Sequence, residues 1–186
     1  MPDDSLILKL ASVDLSAQES AAAEIFARGR ALAEPIVAAW LQDSDLHANF
    51  NAGNPQMTVG FAVFPETFGK IRAANSNPRL ADVPPDQDAI EFELHFPGGV
   101  QIDILTTHTP GGPGAIARYL EKFGEGIQQV EFDVKSVDEA AEILRSRFNL
   151  APLYPATRSG ADATRVNFFL ASRPDGRKVL IELVEK

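Results

Sequence analysis

The stretch AIEFELHFPGGVQIDIL, residues 89–105, restricts the fold more than anything else in the chain. Ile90, Phe92, Leu94 and Phe96 fall on one side of a period-2 run, and Glu91, Glu93 and His95 fall on the other. That is the pattern of a strand with one face in a core. Pro97-Gly98-Gly99 is a hairpin turn signal, and the run resumes with Ile102 and Ile104 opposite Gln101 and Asp103. A two-stranded hairpin is not stable by itself in water, so the chain must supply further strands and a cover.

It supplies them twice. MTVGFAV, from Met57, alternates and reads as a strand, followed by the helix PETFGKIRAA (65–74) with Pro65 in its first turn. Residues 75–88 read as loop or an irregular strand, and the hairpin follows. A Gly/Pro-rich loop (109–114) then leads to the helix AIARYLEKF. After it the series recurs. GIQQVEFDV alternates, Ser136 and Glu139 form a capping box ahead of Val137, Ala140, Leu144 and Phe148, and RVNFFLA and KVLIELVE flank the turn SRPDG. APLYP is read as a short strand and RSGADAT as a loop. A strand–helix–three-strand unit of this size, repeated, predicts an α+β fold of two βαβββ modules. The expected boundaries are 56–124 for the first module with its connecting helix and 125–186 for the second.

Residues 1–55 form a helical N-terminal extension in this reading. Ser16 and Glu19 suggest a capping box, and Ile25/Phe26, Leu32/Ala33, Ile36/Val37 and Trp40/Leu41 recur at helical spacing. Pro35 is expected to kink or restart that helix. SDLHANFNAGNP (44–55) reads as a linker. The apolar stripe needs a cover, either the sheet or a second copy in a homodimer.

Composition removes several classes of function. The net charge of −9 argues against nucleic acid as a main partner, because phosphate binding needs a basic stripe. No apolar run approaches a membrane span, and the N-terminus lacks a signal-peptide pattern, so a soluble cytoplasmic protein acting on a small molecule is expected. There is no cysteine, which excludes disulfides, thiol catalysis and thiolate metal sites. Arg118 and Lys122 share a helix face and could meet a phosphate, although a solvated face explains them as well.

The repeat, with GPGAIARYLEKFGEGIQQVEFDV (112–134) and TRVNFFLASRPDGRKVLIELVE (164–185), resembles the vicinal oxygen chelate superfamily of glyoxalases, bleomycin-resistance proteins, extradiol dioxygenases and methylmalonyl-CoA epimerases. The resemblance spans residues 57–186 and is greatest to the epimerases. It implies a cupped mixed sheet with the site inside. It also implies a metal site whose four positions are Thr58, Asp103, Gln129 and Glu182 here, and an acid/base pair of Glu91 and Glu182. Thr58 and Gln129 stand where the family carries histidines, so an oxygen-ligated Mg²⁺, Mn²⁺ or Ca²⁺ is expected rather than Zn²⁺.

Alternation puts Glu91, Glu93, Asp103, Gln129, Glu131 and Glu182 on the faces away from the core. Glu93 and Glu131 are expected to reach the rim and be solvated, and His95 to be a hydrogen-bonded wall residue. Arg118, Arg158 or Arg165 could instead neutralise the carboxylates as a structural network. Three functions stay open. One is a lyase or isomerase working through a divalent cation. Another is a metal-free binding protein of the bleomycin-resistance type. The third is an interaction module with a decayed site.

Overall fold

Where the sequence alternates, the structure pairs. In the computed structural model, which describes residues 4–50 and 55–186, Ala89–Phe96 (β2) and Val100–Thr107 (β3) form an antiparallel hairpin. The register sets Glu91 opposite Leu105 and Glu93 opposite Asp103. Gly98 and Gly99 close it with φ of 78° and 74°, values that side-chain-bearing residues rarely adopt. The other elements are helices α1 (Asp4–Leu10), α2 (Leu15–Trp40), α3 (Ser44–Asn49), α4 (Pro65–Ala74), α5 (Ala115–Phe123) and α6 (Val137–Arg147). The remaining strands are β1 (Met57–Ala62), β4 (Gly126–Asp133), β5 (Arg158–Ser159), β6 (Arg165–Ser172) and β7 (Lys178–Glu185). The chain is therefore α+β, with both parallel and antiparallel strand pairs. Among the described residues no helix is long and apolar enough to cross a membrane.

Contacts divide the chain into two units, each made from two separate stretches. The first combines the chain up to Arg28 with Thr58–Gln128. Here β3 pairs with β2 on one side and runs parallel to β1 on the other. Helix α4 covers one face, with Phe68 set edge-on against Phe92 (centroids 4.8 Å apart, planes at 64°) and Ile71 fully buried. Helix α5 covers part of the opposite face, packing Ile116 and Leu120 on Ala62 and Leu105. Helix α1 lies against α4, where Asn75 Nδ2 donates to Leu10 O (2.9 Å) and Gln18 Nε2 to Ala74 O (3.1 Å). Ala21, Ala22, Ile25 and Phe26 of α2 are buried in this unit.

The second unit combines Gly29–Met57 with Gln129–Lys186. Its strands run in the order β4, β7, β6, β5, with β4 parallel to β7 and the other pairs antiparallel. Ala33, Ile36, Val37 and Trp40 of α2 are buried here. Helix α6 packs on β6, β7 and α3. Phe50 is fully buried, edge-on to Phe132 at 6.1 Å.

Four local expectations need correction. Residues 44–49 are not linker but the helix α3: Asp43 accepts hydrogen bonds from the Asp45 and Leu46 backbones, and fully buried Leu46 anchors the turn. Helix α2 begins one residue before Ser16, and Asp14 Oδ1 instead accepts from the Ser16 backbone (2.9 Å). At Pro35 α2 does not restart but runs on to Trp40, with Ala33, Ile36, Val37 and Trp40 buried on either side of the proline. APLYP is not a strand. Pro152 and Pro155 have no N–H to offer, and among the described residues one backbone–backbone bond, Leu153 N to Phe168 O (2.7 Å), runs to β6. In the first module residues 75–88, which include Pro78, Pro84 and Pro85, hold no strand.

Candidate functional site

The strand faces away from the cores carry the polar residues, and each unit has its own set. In the first, register places Gly60 beside Asp103 and Ala62 beside Leu105. Thr58, 6 % exposed, donates its hydroxyl hydrogen to Gln101 Oε1 (3.2 Å), and Asp103 is 5 % exposed. Glu91 is half-buried, and its carbonyl accepts from the Ala81 backbone (3.0 Å). The α5 cover over Ala62 and Leu105 closes one end of this face. At that end the Asp88 carboxylate accepts from Thr107 Oγ1 (2.9 Å) and Thr109 Oγ1 (3.1 Å). Glu93 is solvated as expected, and His95 Nε2 lies 3.0 Å from it, also exposed.

In the second unit the parallel register sets Glu131 directly beside Glu182. Gln129, two residues before Glu131 on the same face, spans both: its Nε2 donates to Glu182 Oε2 (2.5 Å) and to Glu131 Oε1 (3.1 Å). Gln129 and Glu182 are 7 % and 8 % exposed. Glu131, expected at the rim, is half-buried in this cluster. Register continues the same face from Glu182 to Phe168, and from Leu180 to Leu170. The cluster thus borders an apolar strip.

That strip is held by a residue the sequence reading passed over. Asn167, 1 % exposed, points to the core side of β6. Its Nδ2 donates to Tyr154 O (3.2 Å) and its Oδ1 accepts from Tyr154 N (3.4 Å). The bonds set the Tyr154 ring edge-on to Phe168 (5.9 Å), and the Arg158 guanidinium lies over that ring at 4.2 Å. An asparagine in a core position of RVNFFLA was the signal for it, since a buried amide must be bonded. Arg165 binds Asp138 and Glu185, and Arg118 and Lys122 are exposed.

The oxygen donors at Thr58, Asp103, Gln129 and Glu182 are the type that suits a hard cation. In the second unit their placement does not suit one. At Glu182 it is the amide nitrogen of Gln129, with its partial positive charge, that faces the carboxylates. Among the described residues, no group of three or more His, Cys, Asp or Glu side chains is placed to hold a metal ion.

No protein-family model matches the chain, and no curated protein does. Solved structures do. The methylmalonyl-CoA epimerase of Mycobacterium tuberculosis is 31 % identical with a TM-score of 0.56, over 69 % of this chain and 85 % of that one. A variant of the Streptomyces coelicolor methylmalonyl-CoA epimerase, in complex with 2-nitronate-propionyl-CoA, is 24 % identical with a TM-score of 0.54, over 69 % of this chain and 94 % of that one. A methylmalonyl-CoA epimerase in complex with methylmalonyl-CoA and NH4⁺ is 24 % identical with a TM-score of 0.52, over 69 % and 92 %. At 24 % identity the last two speak for the fold alone.

Proposed function

We propose, from the premise that this chain belongs to the vicinal oxygen chelate superfamily, in the branch of the methylmalonyl-CoA epimerases, that it is an isomerase for a small acyl thioester with an acidic α C–H. In this reading Glu91 and Glu182 are the acid/base pair. One group, as the carboxylate, removes the α-proton, and the other, as the carboxylic acid, gives its proton to the opposite face of the carbanion, so that the two exchange protonation states. The observation that supports it is Glu182 itself, a buried glutamate held by a hydrogen bond from Gln129 next to a second carboxylate. Proton transfer by positioned groups is worth ~10²–10⁴-fold. The enolate also needs stabilisation, and preorganised hydrogen-bond donors supply that type of effect at about 10²–10³-fold per donor. A divalent cation on Thr58, Asp103, Gln129 and Glu182 enters this reading only if the Gln129 carboxamide turns its oxygen inward, and no step here runs through one.

The apolar strip of Phe168, Leu170 and Leu180 favours a second reading, a metal-free binding protein that encloses a partly apolar ligand. Incubation with methylmalonyl-CoA in D₂O separates the two. The isomerase reading expects α-deuterium in the recovered thioester, with the rate lowered about 100-fold or more in Glu91→Gln and in Glu182→Gln. Saturable binding without exchange supports the second reading. Neither binding nor exchange would sink both.

A further inference from the structure

We infer that Gln129 is a positioning residue whose carboxamide takes the place of a cation, clamping Glu131 and Glu182 together so that this half of the site is ordered without metal. The inference rests on the second unit alone and does not depend on the isomerase reading.

Three observations carry it. The parallel register of β4 and β7 puts Glu131 and Glu182 side by side on one face, where neighbouring strands lie ~4.8 Å apart. Like charges directly opposed on a sheet repel, and Glu182 is removed from the water that would screen them. To stay ionised, such a pair needs either a counter-charge or hydrogen-bond donors. Gln129 is spaced to provide the donors. It lies two residues before Glu131, hence on the same face, and its NH₂ group carries two hydrogens, one for each carboxylate. The shorter bond, 2.5 Å, goes to the more buried Glu182. A cation between the same two carboxylates would compete for the position of the amide nitrogen. Glu131 thereby joins Glu182 as the second carboxylate of this unit's polar cluster. Its separation from Glu182 by 51 positions hides the pairing in the sequence.

Melting temperatures of the full chain, measured in EDTA and in millimolar Mn²⁺ or Ca²⁺, test the clamp. Wild type is expected to melt at the same temperature in all three. Gln129→Glu removes the donor and adds a third carboxylate, so it should melt lower in EDTA and recover in Mn²⁺ or Ca²⁺. Gln129→Leu removes the donor without adding a ligand, so it should melt lower and not recover. A merely space-filling Gln129 would tolerate Gln129→Leu, so a Gln129→Leu that melts with wild type overturns the inference. A rise in the wild-type melting temperature with Mn²⁺, abolished in Glu182→Gln, overturns the inference, as does a folded Gln129→Glu that ignores both ions. If Gln129→Glu does not fold, calorimetric titration of wild type with Mn²⁺ decides: saturable binding lost in Glu182→Gln refutes the clamp, and no binding supports it.

Discussion

Substituting Leu46 by alanine should cost the second unit a large part of its stability, although Leu46 sits in a helix of only six residues. A helix of that length does not form by itself in water, so α3 exists because of what it touches. Leu46 is fully buried, Phe50 at the end of the helix is fully buried, and α3 packs on α6. Truncating a buried leucine removes the transfer energy of its methyl groups and leaves a cavity, together about 2–5 kcal/mol. With a urea slope of about 2 kcal/mol/M, that moves the midpoint down by roughly 1–2.5 M. The single tryptophan, Trp40, is buried in the same unit, so its fluorescence followed against urea reports the relevant transition. Leu8→Ala is the control, because Leu8 is 71 % exposed and its loss should stay within about 0.5 kcal/mol. A Leu46→Ala midpoint within about 0.3 M of wild type would refute the reasoning and make α3 an appendage.

Two glycines should respond to alanine with opposite signs. A Cβ at Gly69, inside α4, meets nothing within 4 Å, so Gly69→Ala should stabilise by ~0.5–1 kcal/mol. A Cβ at Gly160 would lie 2.5 Å from Thr164 Oγ1 and 2.6 Å from a Val166 methyl, so Gly160→Ala should destabilise by about 1–3 kcal/mol; equal shifts in thermal melts would contradict both. Stability should fall on acidification. Asp43 is held below its ordinary pKa by its bond to Arg147, Asp138 by Thr157 and Arg165, and Glu185 by the Val137 N–H and Arg165. Groups lowered on folding contribute fully above the unfolded values, near 3.8 for Asp and 4.5 for Glu, and lose that contribution as pH falls through the folded ones. Urea midpoints should therefore drop from about pH 5 downward, less steeply in Arg165→Ala, and a flat profile would count against these pairs.

What could be read in advance was whatever depends on period and short-range chemistry. The β2–β3 hairpin, α4, α5, and strands β6 and β7 follow from alternation, Pro65 and the glycine turns, since each of those signals acts within a few residues. Ser136 caps α6 as the sequence indicates, accepting from the Glu139 backbone at 3.3 Å. The reciprocal half of that box is missing, because the Ser136 backbone donates to Asn49 Oδ1 (3.0 Å), a residue 87 positions away. Helix α3 was illegible for the same reason. Its sequence is rich in turn formers, and its stabilising partners are distant in the chain. At the candidate site, alternation correctly put Gln129, Glu131 and Glu182 on one strand face each. It could not say that β4 and β7 pair in the register that sets Glu131 against Glu182, since register is a tertiary fact. Nor could it foresee which end of the Gln129 amide would face them.

The clasp of α3 on α6 has a consequence for how the chain is made. Arg147 binds Asp43 at 2.6 Å and Asp45 at 2.7 Å, and Asp43 lies 104 residues earlier. At ~5–20 residues per second, a ribosome delivers the two ends of that contact about 5–20 s apart. Through that interval Trp40, Leu46 and Phe50 have been made, but the surfaces that bury them have not. The wait is longer still for the sheet they belong with, because β7, between β4 and β6, is the last strand to appear. The stretch 58–128, by contrast, holds β1, β2 and β3 together with α4 and α5, and the early helix α1 that docks on α4 is already available. Synthesis therefore completes the segments of the first unit while the second still lacks the strands that its early-made apolar segments belong with.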